Sequence, residues 1–111
     1  MFGFGKSQST VDLTPGEAWD LASRGEILLV DVREANEWAA GHVPGAMLVP
    51  LSNFAAAAAE IPTDRRVVFY CQMGGRSAKA VGLAKSLGLP IDSHVAGGMS
   101  AWRGAGLPVE R

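Results

Sequence analysis

The chain has 111 residues, of which 48% are hydrophobic and 19% charged, and its formal net charge is −1. That size suits one compact domain, and the balanced charge offers no basic field to hold nucleic acid or an anionic membrane. The longest apolar stretches, Phe54 to Ala59 and Ile27 to Val30, fall far below the roughly 20 residues needed to cross a bilayer.

Residues 1–8 lack a basic stretch followed by an apolar core, so they read as a frayed tail rather than a secretory signal. Thr14-Pro15-Gly16-Glu17 reads as a capping box that opens a helix running to about Arg24, with Gly25 as its stop. Ile27 to Val32 is a short apolar run rich in β-branched residues, the pattern of a strand buried on both faces. Glu34 to Ala40 reads as a short helix ended by Gly41, and Ala46 to Val49 as a further strand after the Val43-Pro44-Gly45 turn. Ser52 is positioned to cap a helix through Ala55 to Ala59.

Val67 to Tyr70 repeats the buried-strand pattern. Ala80, Leu83, Ala84 and Leu87 then fall at i, i+3, i+4 and i+7, the apolar stripe of an amphipathic helix that Gly88 ends. A last short strand is expected around Val95 and a helical turn over Ser100 to Arg103. This alternation predicts an α/β domain whose sheet is mostly parallel, with helices on both faces and ligands at the carboxyl ends of its strands.

Only one cysteine is present, Cys71. It can form no intramolecular disulfide, leaves too few thiols for a zinc ribbon or an iron–sulfur cluster, and points to a reducing compartment such as the cytoplasm. Cys71 stands where a buried strand gives way to a helix, in Tyr70-Cys71-Gln72-Met73-Gly74-Gly75-Arg76-Ser77. A loop entering a helix N-terminus turns backbone N–H groups and the positive end of the helix dipole toward one point. Gly74 and Gly75 let such a loop curl, and an anion, including a thiolate, is favoured inside it. A lone cysteine is more often a small core residue. The glycines, Arg76 and the helix start that follow within a few residues favour a chemical role instead.

His42 and His94 have no ligand partner at metal-binding spacing, and both are expected to be structural. Trp19, Trp38 and Trp102 read as packing residues. Asp31 with Arg33, at the carboxyl end of a buried strand, reads as a brace for neighbouring loops rather than a catalytic pair.

Together these residues resemble the rhodanese-like domain family, specifically its single-domain sulfurtransferases. The resemblance runs from about Ser9 to Pro108 and is carried by Leu29-Val30-Asp31-Val32-Arg33-Glu34, Glu37-Trp38, Gly41-His42-Val43-Pro44-Gly45-Ala46, the loop from Cys71 to Ser77, and the closing Gly97-Gly98 with Trp102 and Leu107-Pro108. It implies a single rhodanese-like domain over residues 9–109, a small three-layer fold with a five-stranded parallel sheet, and a reaction needing no metal and no cofactor. In that reaction Cys71 accepts a sulfane sulfur from thiosulfate, a persulfide or a polysulfide, holds it as a persulfide, and passes it to cyanide or a thiol. Gln72 and Met73 would shape the mouth of the loop. The loop N–H groups from Gln72 to Ser77 would hold the persulfide anion, Gly74 and Gly75 would allow the curl, and Arg76 would favour anions or brace the loop. With no second cysteine, the acceptor must be external, a small thiol or another protein's cysteine.

Counting Cys71 as first, Arg76 is sixth, as in sulfur-transfer loops, whereas related phosphatases and arsenate reductases place arginine seventh. A binding or regulatory module without turnover is the main alternative, and the retained Cys71 counts against it. Gln72 and Met73 add no charge beside Arg76, which leaves the sulfur donor open.

Overall fold

The computed structural model describes residues 10–111; the expected tail over residues 1–8 lies outside the described residues. Five strands, β1 (Val11–Leu13), β2 (Ile27–Asp31), β3 (Met47–Leu48), β4 (Arg66–Tyr70) and β5 (Ser93–Val95), form one parallel sheet in the order β1-β5-β4-β2-β3. The helices are α1 (Pro15–Ser23), α2 (Ala35–Ala40), α3 (Phe54–Ala58), α4 (Gly75–Ser86) and α5 (Gly98–Gly104). No helix among the described residues is long and apolar enough to cross a membrane.

Successive strand residues point to opposite faces, so a strand covered on both sides must be apolar throughout. In β2 and β4, Leu28, Val30, Val67 and Phe69 pack on one face with Phe54, Ala58, Ala80, Val81 and Ala84 from α3 and α4. Ile27, Leu29, Val68 and Tyr70 pack on the other with Ala18 of α1 and Met99 and Trp102 of α5. Trp19 meets Trp102 edge-to-face at 5.9 Å, and the Trp102 indole N–H donates to the Pro108 carbonyl at 2.8 Å.

The capping box at α1 is present, with Thr14 N–H donating to Glu17 Oε1 at 2.8 Å and Glu17 N–H to Thr14 Oγ1 at 3.1 Å. Three local expectations are corrected. Ser52 does not cap α3; it lies in a 3₁₀ turn, Leu51–Asn53, entered from Pro50, and its hydroxyl bonds Glu34. The buried face of α4 is Ser77, Ala80, Val81 and Ala84, while Leu83 and Leu87 are 36% and 48% exposed. The terminal helix starts at Gly98 rather than Ser100.

The residue pattern also gave no sign of β1, whose three residues are too short for any periodicity to register. This edge strand pairs Val11 with Ser93, Asp12 with His94 and Leu13 with Val95.

Candidate active site

β4 is the middle strand of the sheet, and Cys71 follows its last residue. Only 1% of Cys71 is exposed, so its sulfur lies at the base of the loop rather than at its rim. The Sγ atom accepts N–H groups from Gly74 at 3.1 Å and Ser77 at 3.2 Å, and it stands 3.5 Å from Ser77 Oγ. Burial by itself pushes the thiol up. The Ser77 hydroxyl and the amides of Ser77, Gly74 and Met73 more than offset that, and the Cys71 thiol is held below its ordinary range.

Two backbone features give the loop this shape. Gly74, immediately before α4, has φ +114°, a conformation that favours glycine and turns the chain back over the sulfur. From behind, Met99 N–H donates to the Cys71 carbonyl at 2.9 Å and Ser100 N–H to the Gln72 carbonyl at 3.0 Å. With these carbonyls engaged by α5, the amides farther along the loop are left to face the sulfur. That approach requires Gly98, because a Cβ there would stand 2.7 Å from the Gln72 carbonyl and closer still to that of Cys71.

Side chains brace the loop from the opposite side. Both terminal nitrogens of Arg76 bind Glu37 of α2, at 2.8 and 2.9 Å. This pairing is the largest of the influences that take the Glu37 carboxyl down to about 2. Of the two roles expected for Arg76, the bracing contact is the one these distances describe. Arg33 is buried and grips Asp31 with Nε at 3.0 and 3.1 Å and Nη2 at 2.8 Å. The same guanidinium reaches the Gly41 carbonyl at 2.7 Å and Gln72 Oε1 at 3.2 Å, tying the loop after α2 to the loop after β4. Met73 is 69% exposed at the mouth.

The ring of His42 stacks on Trp38 at 3.6 Å and its Nδ1 lies 2.9 Å from the Trp38 carbonyl. His94 meets the cysteine loop instead. Expected only as a structural residue beside a strand, it is 2.7 Å from Ser77 Oγ through Nδ1 and 2.9 Å from Asp12 Oδ1 through Nε2. Its signal was hidden because the contact depends on the β1–β5 register and on the face that α4 buries, neither of which is local in sequence.

A parallel sheet that delivers a single cysteine into an amide-lined loop at its carboxyl edge defines a small α/β domain equipped for thiolate chemistry. The model of the family described as "Rhodanese-like domain" matches residues 14–105, and the chain belongs to that family. Over 93 residues it is 40% identical to the "Probable adenylyltransferase/sulfurtransferase MoeZ" of Mycobacterium tuberculosis, a match covering 81% of this chain and 24% of that protein. The chain thus spans about a quarter of that relative's length. It is 37% identical over 100 residues to the human "Thiosulfate:glutathione sulfurtransferase", covering 78% of this chain and 87% of that protein. The crystal structure of a rhodanese-related protein from Thermoplasma volcanium is similar, with a TM-score of 0.79 at 26% identity, over 92% of this chain and 97% of that one.

Proposed function

We propose that this protein is a sulfurtransferase in which Cys71 carries the transferred sulfur as a persulfide. The observation that supports this most directly is the placement of Cys71 Sγ against the Gly74 and Ser77 amides, at 3.1 and 3.2 Å. These donors stabilise negative charge on sulfur, first on the thiolate and then on the persulfide. In the first half-reaction the thiolate attacks the outer sulfur of thiosulfate, a persulfide or a polysulfide. An S–S bond to Cys71 forms, the donor's S–S bond breaks, and sulfite or a thiolate leaves with the electron pair. In the second, an external thiolate or cyanide attacks the outer sulfur and restores the Cys71 thiolate.

The human relative's name pairs thiosulfate with glutathione, which favours a small thiol as acceptor here as well. No further cysteine exists in the sequence to resolve the persulfide. A reducing setting such as the cytoplasm suits a reaction that needs a free thiolate. A phosphatase or arsenate reductase reading is weaker. Arg76 is one position short of the spacing noted above, and both its terminal nitrogens are held by Glu37.

The test is intact-mass spectrometry after brief exposure to thiosulfate or polysulfide, with Cys71→Ser as control. A gain of one sulfur that needs Cys71 and is removed by cyanide or a thiol supports the reading. Absence of the adduct with both donors, on folded and reduced protein, overturns it.

A further inference from the structure

Ser77 Oγ occupies the junction between the sulfur and a histidine that the persulfide chemistry does not itself require. It lies 3.5 Å from Cys71 Sγ and 2.7 Å from His94 Nδ1, and His94 Nε2 lies 2.9 Å from Asp12 Oδ1. His94 is 8% exposed, and its Cε1 lies 3.9 Å from where a Cβ on Gly74 would stand, so the ring sits directly beneath the loop. Asp12 is largely exposed, its side chain 65% accessible. The line therefore runs from the buried thiol to the protein surface across α4, β5 and β1.

We propose that His94, oriented by Asp12, receives the Cys71 proton through the Ser77 hydroxyl and thereby sets the fraction of Cys71 present as nucleophilic thiolate. This deepens the sulfurtransferase reading and rests on Cys71 being its nucleophile. His94 is a positioning residue in this scheme, since it reaches the sulfur only through Ser77.

The hydrogen-bond directions are self-consistent. An Asp12 carboxylate can only accept, so it takes Nε2–H and leaves the Nδ1 lone pair of neutral His94 facing the Ser77 hydroxyl. Ser77 Oγ then has lone pairs for the Cys71 S–H. When the thiol proton passes to Ser77 Oγ, the original Ser77 hydroxyl proton passes to His94 Nδ1. The S–H and the old O–H bonds break, and a new O–H and an N–H bond form. The products are a thiolate, an intact serine and an imidazolium paired with Asp12, with no net change in charge and no oxidant or reductant. His94 Nδ1–H now donates to Ser77 Oγ, and the single serine proton, the one that came from Cys71, stays on the sulfur side and hydrogen-bonds the thiolate. The Gly74 carbonyl, 3.1 Å from Ser77 Oγ, is its other available acceptor.

Among the described residues, Asp12 closes the line on the β1 side, where Glu17, Asp20 and Arg66 line the same cleft. On the other side of the sulfur, Arg76 of α4 acts on Cys71 electrostatically and is itself paired with Glu37 of α2. Arg66 and Asp92 engage the side chain of Ser93, which alternation places on the opposite face of β5 from His94.

The experiment is a pH titration of thiolate absorbance, blanked with Cys71→Ser, on the wild type, His94→Asn and Asp12→Asn. Asparagine at position 94 can still hydrogen-bond Ser77 but cannot take a proton. The scheme predicts a thiolate midpoint about one pH unit higher in His94→Asn, a tenfold loss of thiolate below it, and a smaller shift the same way in Asp12→Asn. The scheme couples the two protons, so the pH profile of the His94 ring signals in NMR must also change in Cys71→Ser. That readout holds even if His94→Asn fails to fold. An unchanged thiolate midpoint in folded His94→Asn, or an His94 titration indifferent to Cys71→Ser, overturns the proposal. None of these readouts uses sulfur transfer. A shifted thiolate without sulfur uptake therefore refutes the sulfurtransferase reading alone, and uptake with an unshifted thiolate refutes this one alone.

Discussion

Arg76 and Glu37 form a two-pronged ion pair, 2.8 and 2.9 Å, that joins the helix after the cysteine loop to the helix after β2. A cation in the first turn of a helix is mildly unfavourable, so Arg76 gains by having a carboxylate beside it. The pair fixes α4 relative to α2 and with it the direction of the Ser77 and Gly74 amides. Arg76→Ala should therefore loosen the loop and slow sulfur uptake from neutral and charged donors alike. Uptake rates from thiosulfate and from a neutral persulfide donor check this. A loss confined to thiosulfate would assign Arg76 to anion binding instead.

The same pair predicts a pH dependence of stability. The Glu37 carboxyl lies at about 2 in the folded protein, below its ordinary 4.5, chiefly through its hydrogen bonds to Arg76. Its stabilisation is therefore complete above the ordinary value and is lost as pH falls through about 2. Both side chains are partly exposed, so screening limits the effect to about 1 kcal/mol. Urea unfolding should show Glu37→Gln less stable than wild type near neutral pH, with the gap closing as acid protonates the wild-type carboxylate. A gap independent of pH would contradict this.

Gly98→Ala is expected to damage both stability and chemistry. Its φ of +55° disfavours a side chain, and the new Cβ would press on the carbonyls of Cys71 and Gln72. Strain of this kind costs about 1–3 kcal/mol before the clash is counted. Urea unfolding together with sulfur uptake checks it. Wild-type values in both would mean that α5 does not hold the loop.

Asp31→Asn leaves buried Arg33 without its carboxylate, and breaking a buried pair from one side costs about 3–5 kcal/mol. An apolar replacement of both partners should recover part of that loss, because no uncompensated charge remains. Denaturant midpoints of the single and double variants decide the matter; equal losses would show that the carboxylate does more than neutralise Arg33.

The features legible in the sequence were those encoded locally. β2 and β4 announce themselves because both of their faces are buried, and the α1 start because Thr14 and Glu17 bond each other across three residues. The cysteine loop is legible because Cys71, Gly74 and Gly75 fall within one short segment at a strand-to-helix junction. What escaped depended on distant partners. Leu83 and Leu87 fit a helical stripe, yet α4 turns Ser77, Ala80, Val81 and Ala84 to the sheet and leaves those leucines at the surface. Ser52 has the chemistry of a helix cap but finds Glu34 instead. The Asp12 to His94 contact joins residues at opposite ends of the chain through a three-residue strand, and no window along the sequence contains both.

The central claim is that Cys71 carries sulfur, and intact-mass measurement of the reduced protein after thiosulfate or polysulfide treatment tests it most directly. The account predicts a gain of one sulfur on the wild type, none on Cys71→Ser, and its release by cyanide or a thiol. A folded, reduced wild-type protein that gains no mass from either donor would contradict it.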